Sequence, residues 1–392
     1  MPTRHLAAAG RRAFASFIDW GLPASWFGWR GLPACDPAAW PRRGGVRHLE
    51  TVHPPVTRQY PLPCNVARRE DLPADAGWWG YSFRDVPSRA DARTFIATLH
   101  DAVVLPCLNP DNGEFFPAVL DGGRRVVTLP QIDFRRFHRP ALHRLRRARR
   151  LRRATWVMER VYDNHSHWLT AHLPKLRLLA GLDRLEGVLF PRRRTAVMDA
   201  SLRRLGLDAA DYDVFDEEVP LRVDELTVIG TDRFRSDLLR PVREAMAMPV
   251  AAPWRRVFIS RGGAARRKLL NEEAIWRVLR GAGFERACME QLDFDAQVKL
   301  MGETRVLAAP HGAGLTNMLF CAPGTQVVEL ADLSFPNPNF YALASALGHD
   351  YWLIAATAHG DCHPLYRDLC VAPDAVGSLL PAIEARLRGR AA

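Results

Sequence analysis

At 392 residues the chain is longer than the single core of about 100–200 residues that most domains build, which favours two domains. Its 48% hydrophobic and 25% charged residues describe a soluble globular protein, and no apolar run reaches the ~18 residues of a membrane-spanning helix. The net charge of +11 points toward an anionic partner, but lysine is confined to Lys175, Lys268 and Lys299, so the arginine excess also reads as the mark of a GC-rich genome and is weak evidence of one.

The opening stretch MPTRHLAAAGRRAFASFIDWGLPASW is interrupted by Arg11, Arg12 and Asp19 and lacks the apolar centre of a secretory signal, so a cytoplasmic protein is expected. Residues 1–90, rich in Pro, Trp and Arg, read as an irregular lobe. From Thr94 to Val127 the runs FIATL, AVVLP, EFFPAVL and RRVVTL are separated by the turn formers NPDNGE (109–114) and DGG (121–123), which predicts a small antiparallel sheet. A basic run, Arg135 to Arg153, follows. Leu142, Leu145 and Leu151 give it partial helical periodicity, so it reads as a solvated helix or linker, or else as a surface for an anionic membrane or a polyanion.

Beyond it, strand-like and helical patterns alternate. The first set is ATWVMERV, LTAHLPKLRLLAGL, LEGVLFP, a helix near 196–205 ending at Gly206, YDVFD and ELTVIG. The second is RRVFIS, a helix from Asn271 with Ile275, Val278 and Leu279 on its core face, FERACM, FDAQVKLMG, TRVLAAP, GLTNMLFC, TQVVEL and NFYALASALG. Alternation of this kind predicts parallel sheets with crossover helices. The expected division is an N-terminal lobe over 1–153, a Rossmann-like domain over 154–248 and a second over 249–392. The seven cysteines form no C-x-x-C pair, so neither metal binding nor a disulfide framework is expected.

Three stretches carry chemistry. In VLAAPHGAGLTN (306–317) a buried strand ends at Pro310, and His311, Gly312, Ala313 and Gly314 turn directly into a helix, whose free N–H groups make an anion site. An ordinary tight turn with a core histidine is the alternative. In SRGGAARRKLLNEE (260–273), Arg261 leaves a strand and Arg267 precedes a helix, where guanidinium groups fork onto phosphate oxygens. Glu329 ends the next strand, where a carboxylate can accept from ribose hydroxyls. In DNHSHWLTAHLPKL (163–176), His167 reads as a general base with Asp163 beside it, or as a capping or packing residue. His165 and His167 are two apart and do not share a helix face, and no further ligand completes a metal set.

Taken together, DNHSHWL…LPKL, ISRGGAARRKLLNEE, GFERA…LDFDAQVKLM and LAAPHGAGLTNMLFCAPGTQVVEL resemble the bacterial members of glycosyltransferase family 61, of the capsular polysaccharide biosynthesis type, over about residues 94–360. The resemblance implies a GT-B-like α/β fold of two Rossmann-like domains behind a small β-rich N-terminal lobe. It also implies a nucleotide-sugar donor held by the C-terminal domain and an inverting transfer with neither catalytic metal nor other cofactor. It maps Arg261, Arg267, Asn271, Glu272, Gln297, His311, Gly312, Ala313, Gly314, Thr316, Asn317 and Glu329 onto recurrent positions, all but Gln297 taken as donor-binding. His165 and Ser166 replace an aromatic usual in that motif, and the first ninety residues fall outside the likeness.

The expected function is transfer of a sugar from a nucleotide diphosphate to a hydroxyl of a glycan or lipid-linked saccharide in surface polysaccharide synthesis. The catalytic residues are His167 and then Asp163, and peripheral contact with an anionic inner membrane is a further expectation. A nucleic-acid- or anionic-surface-binding protein acting through Arg135–Arg153 is the rival reading, although nucleic acid is not the expected partner. A hydrolase is disfavoured because no G-x-S-x-G nucleophile elbow exists. The triplet Asp211-Tyr212-Asp213 lies in the first half, away from the phosphate turn.

Overall fold

The computed structural model describes residues 34–35 and 46–391, apart from 123–124, 249 and 251. The expectations for the opening stretch and for most of the first 45 residues therefore lie outside the described residues, as does Gly123 of the DGG turn.

The chain builds two principal sheets. The first takes strands β1 (Val46–His53), β2 (Thr94–Leu108), β3 (Phe115–Leu120), β4 (Arg149–Trp156) and β5 (Leu221–Gly230), and Val126–Val127 and Ala34–Cys35 extend it beyond β3. FIATL and AVVLP, read as separate runs, are one strand. Asp101 at φ 48° bends it, so that residues 94–99 pair with β1 and residues 103–108 with β3. β5 lies antiparallel along its other side and parallel to β4. The hairpin turn works as expected: Asn109 N–H donates to the Glu114 carbonyl (2.7 Å) and Gly113 takes φ 72°.

This sheet departs from the expected parallel arrangement of the first half. Its pairs are mostly antiparallel, by a tight hairpin for β2–β3 and by long connections for β1–β2 and β2–β5, and the β4–β5 pair, whose crossover holds the helices α1 (Leu173–Gly181) and α2 (Ala196–Arg204), is its one long parallel pair among the described residues. The basic run is likewise not a helical linker. It forms a helix at Arg139–His143, a turn at Leu145–Arg147 and then β4, which crosses the expected 153/154 boundary. Leu142 and Leu145 are buried beside Val103, Leu105 and Leu120, whereas Arg150, Arg152 and Arg153 line an exposed sheet edge.

After α3 (Ser236–Met246) comes the second sheet, of β6 (Arg255–Ile259), β7 (Glu285–Ala287), β8 (Thr304–Pro310), β9 (Gln326–Asp332), β10 (Asp350–His359) and β11 (Asp368–Cys370). Its order is β7-β6-β8-β9-β10-β11, parallel except for β11. The helices α4 (Glu272–Gly281), α5 (Phe294–Gly302) and α6 (Asn339–Leu347) match the predicted alternation, and α7 (Pro373–Ala391) lies beyond the elements read from the sequence. β8 and β9 are buried on both faces, which is why VLAAP reads as an unbroken apolar run and VVEL as one broken only by the buried Glu329. The reversal of strand order falls between β6 and β8, so the loops after these two strands open onto one crevice.

Several hydrogen bonds tie the halves together. The segment before Val66 straps across β10: Cys64 N–H donates to the Tyr351 carbonyl (2.7 Å), and the Asn65 amide donates to the Leu353 carbonyl (2.7 Å) and accepts from its N–H (3.0 Å). Farther in, His165 Nε2 bonds Asn317 Oδ1 at 3.1 Å.

Candidate active site

The loop after β6 is organised by Arg261. Its Nε donates to the Arg267 carbonyl (2.9 Å) and its Nη2 to the Arg266 carbonyl (2.8 Å), curling residues 261–267 around its guanidinium. Arg267 sits in the left-handed region at φ 57°. The turn after β8 comes up against this loop. A Cβ on Gly312 would stand 2.0 Å from Arg261 Nη1, so only glycine leaves the guanidinium its place. Ala313–Phe320 then continues as a 3₁₀ helix, with Gly314 against Ile259.

Arg261 and Arg267 are thus neighbouring cations, and neither makes an ion pair among the described residues. Burial, and then repulsion from Arg261, push Arg267 down to about 10, and burial lowers Arg261 as well. Arg267 Nε is buried without a partner. Two uncompensated guanidinium groups beside a glycine turn are what a polyanion such as a diphosphate would neutralise.

His311 is held from behind. Its Nδ1 bonds Glu329 Oε1, and Tyr351 Oη donates to Glu329 Oε2 (2.5 Å). Its Nε2 meets Asn337 Nδ2 at 3.1 Å on a pocket that Arg267, Trp79 and Asp332 also line. Glu329 is fully buried with both oxygens engaged, so the ribose contact expected of it is closed; it fixes the ring and tautomer of His311 instead.

Two other expected ligand contacts are also spent on the fold. Asn271 precedes α4 but does not cap it with its side chain, which donates to the Val371 carbonyl (2.7 Å) and accepts from its N–H (3.2 Å). Glu272 accepts from Ser260 Oγ (2.5 Å) and Arg261 N–H (3.0 Å), setting where Arg261 leaves the strand. Gln297 donates to the Met289 and Leu292 carbonyls. Thr316 and Asn317 are fully buried, with Thr316 Oγ1 and Asn317 Nδ2 unpartnered.

Across the crevice, Asn164 caps the helical turn His165–His167, its side chain accepting from Ser166 and His167 N–H. Trp168–His172 continues as a π turn. Asp163 is exposed and makes no hydrogen bond to His167, so it does not orient the ring. His167 lies instead near Arg233 and Arg160; burial first, and then these cations, hold it well below the ordinary histidine range, and its Nδ1 has no partner. Arg233 is anchored by Thr170 Oγ1 (2.7 Å) and Ser166 Oγ (2.9 Å). Arg160, Arg233, Asp332, Asn337 and Trp79 escaped the sequence reading because no local motif marks them. Among the described residues there is no cluster of three or more His, Cys, Asp or Glu side chains fit to hold a metal ion, and Asp213 pairs with Arg149 (2.9 Å).

Residues 165–328 match the Glycosyltransferase 61 family, a span that opens at His165 and closes next to Glu329. A beta-1,2-xylosyltransferase of Arabidopsis thaliana is 25% identical over 103 residues, covering 23% of this chain and 19% of that protein. The beta-1,2-xylosyltransferase XAX1 of Oryza sativa subsp. japonica is 34% identical over 122 residues, covering 29% of this chain and 21% of that protein. The chain thus spans about a fifth of the length of each of these relatives.

Proposed function

From a chain that carries a glycosyltransferase family 61 segment, we infer that this protein moves a sugar from a nucleotide diphosphate to a hydroxyl of a glycan or lipid-linked saccharide, with inversion and without a catalytic metal. In this reading the two α/β halves face one crevice in a GT-B-like manner, with the donor on the parallel sheet. One observation carries it: Arg261 and Arg267 stand side by side, unpaired, against the Gly312 turn.

In the reaction, the acceptor oxygen bonds to the anomeric carbon as the bond from that carbon to the diphosphate breaks. The acceptor proton passes to a base, and the charge that grows on the leaving diphosphate meets the two guanidinium groups and the N–H groups of the turn. His311 completes the cradle, fixed through Glu329. The surface-polysaccharide setting extends the same reading, and the names of the relatives make a nucleotide-linked xylose the first donor to try.

Calorimetry against a panel of UDP- and GDP-sugars tests it. One sugar nucleotide should bind, and Arg267→Ala should weaken it about tenfold or more, as loss of a charge-assisted contact of ~1.5–3 kcal/mol implies. Turnover should survive EDTA. A wild-type protein that binds no sugar nucleotide defeats the donor assignment, and rescue of EDTA-inactivated enzyme by Mn²⁺ defeats the metal-free one.

A second reading of the base follows from the histidine geometry. His167 is encircled by cations, whereas His311 is backed by a carboxylate and presents Nε2 to the pocket. If His167 is the base, His167→Ala lowers kcat by about 10²–10⁴-fold with donor affinity intact. Near-normal kcat in that variant, beside a comparable loss in His311→Ala at unchanged donor affinity, would move the role across the crevice.

A further inference from the structure

Beside the phosphate cradle, the crevice continues into a narrow pocket with about 30 Å³ of room for water-sized groups. Trp79, Arg267, His311, Asp332, Phe335 and Asn337 are among the residues that line it. Its outer wall comes from the first ninety residues, the stretch outside the family likeness. The strap on β10 holds that segment on one side, and Tyr81 Oη, which donates to Asn339 Oδ1 (2.7 Å), holds it on the other. Trp78 and Trp79 both meet Phe335, which follows β9, and Trp78 also meets His363, which follows β10.

The pocket has polar groups to spare. Trp79 Nε1 and Asp332 Oδ2 are both buried without a partner. Asp332 Oδ1 is already taken, accepting from Ser334 N–H (2.8 Å) and Ser334 Oγ (2.6 Å). With Arg267 Nε assigned to the donor phosphate, Trp79 Nε1 and Asp332 Oδ2 leave one donor and one acceptor for a saccharide, and a hydroxyl can serve both.

The aromatic geometry narrows the ligand further. Trp78 is 57% exposed. Its ring meets Phe335 at 5.7 Å and 61° and His363 at 5.1 Å and 55°, while Phe335 and His363 meet at 82°. No two of these rings lie parallel, so they leave no slot in which a flat base could be sandwiched. A single open indole face next to hydrogen-bonding groups suits a pyranose, whose C–H face lies on the ring while its hydroxyls reach Trp79 and Asp332.

We propose that Trp78, which adjoins the pocket through Trp79 and Phe335, and the pocket together form a saccharide subsite: a pyranose of the acceptor lies on Trp78, and its hydroxyls enter the pocket toward Trp79 Nε1 and Asp332 Oδ2. The assignment rests on the transferase reading. It favours the acceptor over the donor sugar because Trp78 is exposed, so a longer glycan can run out from it.

Saturation-transfer NMR on the full chain tests it, with methyl β-pyranosides of xylose, glucose, galactose and mannose, each with and without UDP, and with UDP affinity measured in parallel. Wild type should saturate the C–H protons of at least one pyranoside. Trp78→Ala, a change at an exposed site, should weaken that binding about threefold to tenfold, the range of an aromatic face contact. Trp79→Phe and Asp332→Asn should also weaken it, and UDP affinity should stay within about twofold in every variant. Absence of saturation with all four sugars, or equal saturation in wild type, Trp78→Ala and Asp332→Asn, overturns the proposal. So does a loss of UDP affinity in Trp78→Ala with saccharide binding unaltered, which would give the pocket to the nucleoside. A wild type that fails to bind UDP defeats the donor reading alone, because the runs without UDP still decide the saccharide arm.

Discussion

Gly312 and Arg261 act as a pair: the missing Cβ is what lets the guanidinium lie where it holds the Arg266 and Arg267 carbonyls. Gly312→Ala should therefore injure donor binding through Arg261 rather than through the turn itself. Because the atom it meets is the far end of a flexible side chain, the fold should survive. The expected result is that Gly312→Ala and Arg261→Ala each weaken sugar-nucleotide binding and that the double variant is little worse than either. Calorimetric losses that add would separate the two residues. Glu329→Gln offers a matching test of the His311 support. It keeps the shape but removes the negative charge behind the ring, so kcat should fall while donor affinity changes little.

The π turn Trp168–His172 buries a neutral histidine. His172 Nδ1–H donates to the His167 carbonyl (3.0 Å), and Nε2 accepts from Glu159 N–H (2.9 Å). Burial and then Lys175 push His172 down to about 3, and burial pushes His349 down to about 4. In the unfolded chain both titrate near 6.5. Below that pH the unfolded state binds protons that the folded state refuses, so the stability they contribute is complete above about pH 6.5 and is lost as pH falls toward the folded values. The urea midpoint should drop between about pH 7.5 and about pH 5, and a flat midpoint would mean that both rings accept protons inside the fold. The same elements show what the sequence could reveal. Strands β8 and β9 were legible because burial on both faces leaves mostly apolar runs, and Arg261, Arg267 and His311 because they stand in loops at the ends of such strands. Of β4 only the ATW end was legible, within ATWVMERV, because the exposed arginines of its first five residues follow the solvent edge and resemble a linker. The roles of Glu329 and Asn271 were misread because the partners that occupy them, Tyr351 and Val371, arrive from distant parts of the chain.

Across the whole molecule, charge and site are separable. Several arginines of the basic run are engaged: Arg149 pairs with Asp213, Arg153 with Glu225, and Arg135 lies over Phe116. Arg146, Arg147, Arg150 and Arg152 remain exposed. Replacing these four by Gln should leave sugar-nucleotide affinity unchanged and reduce binding to vesicles rich in anionic lipid, more so at low salt. Tight, steeply salt-dependent binding to DNA by the wild type, lost in the same variant, would favour the nucleic-acid reading. The pairing of β2 with β5 also bears on how the chain reaches this state. Val104 lies opposite Leu221 and Phe95 opposite Gly230, whereas the parallel sheet joins strands that are close in sequence. During synthesis β2 must wait, one apolar edge unpaired, until β5 has cleared the ribosome, while the later half can close almost as fast as it emerges. A ribosome stalled before Leu221 would thus leave a sticky, unfinished sheet, and the half made first is the half that commits to its structure late.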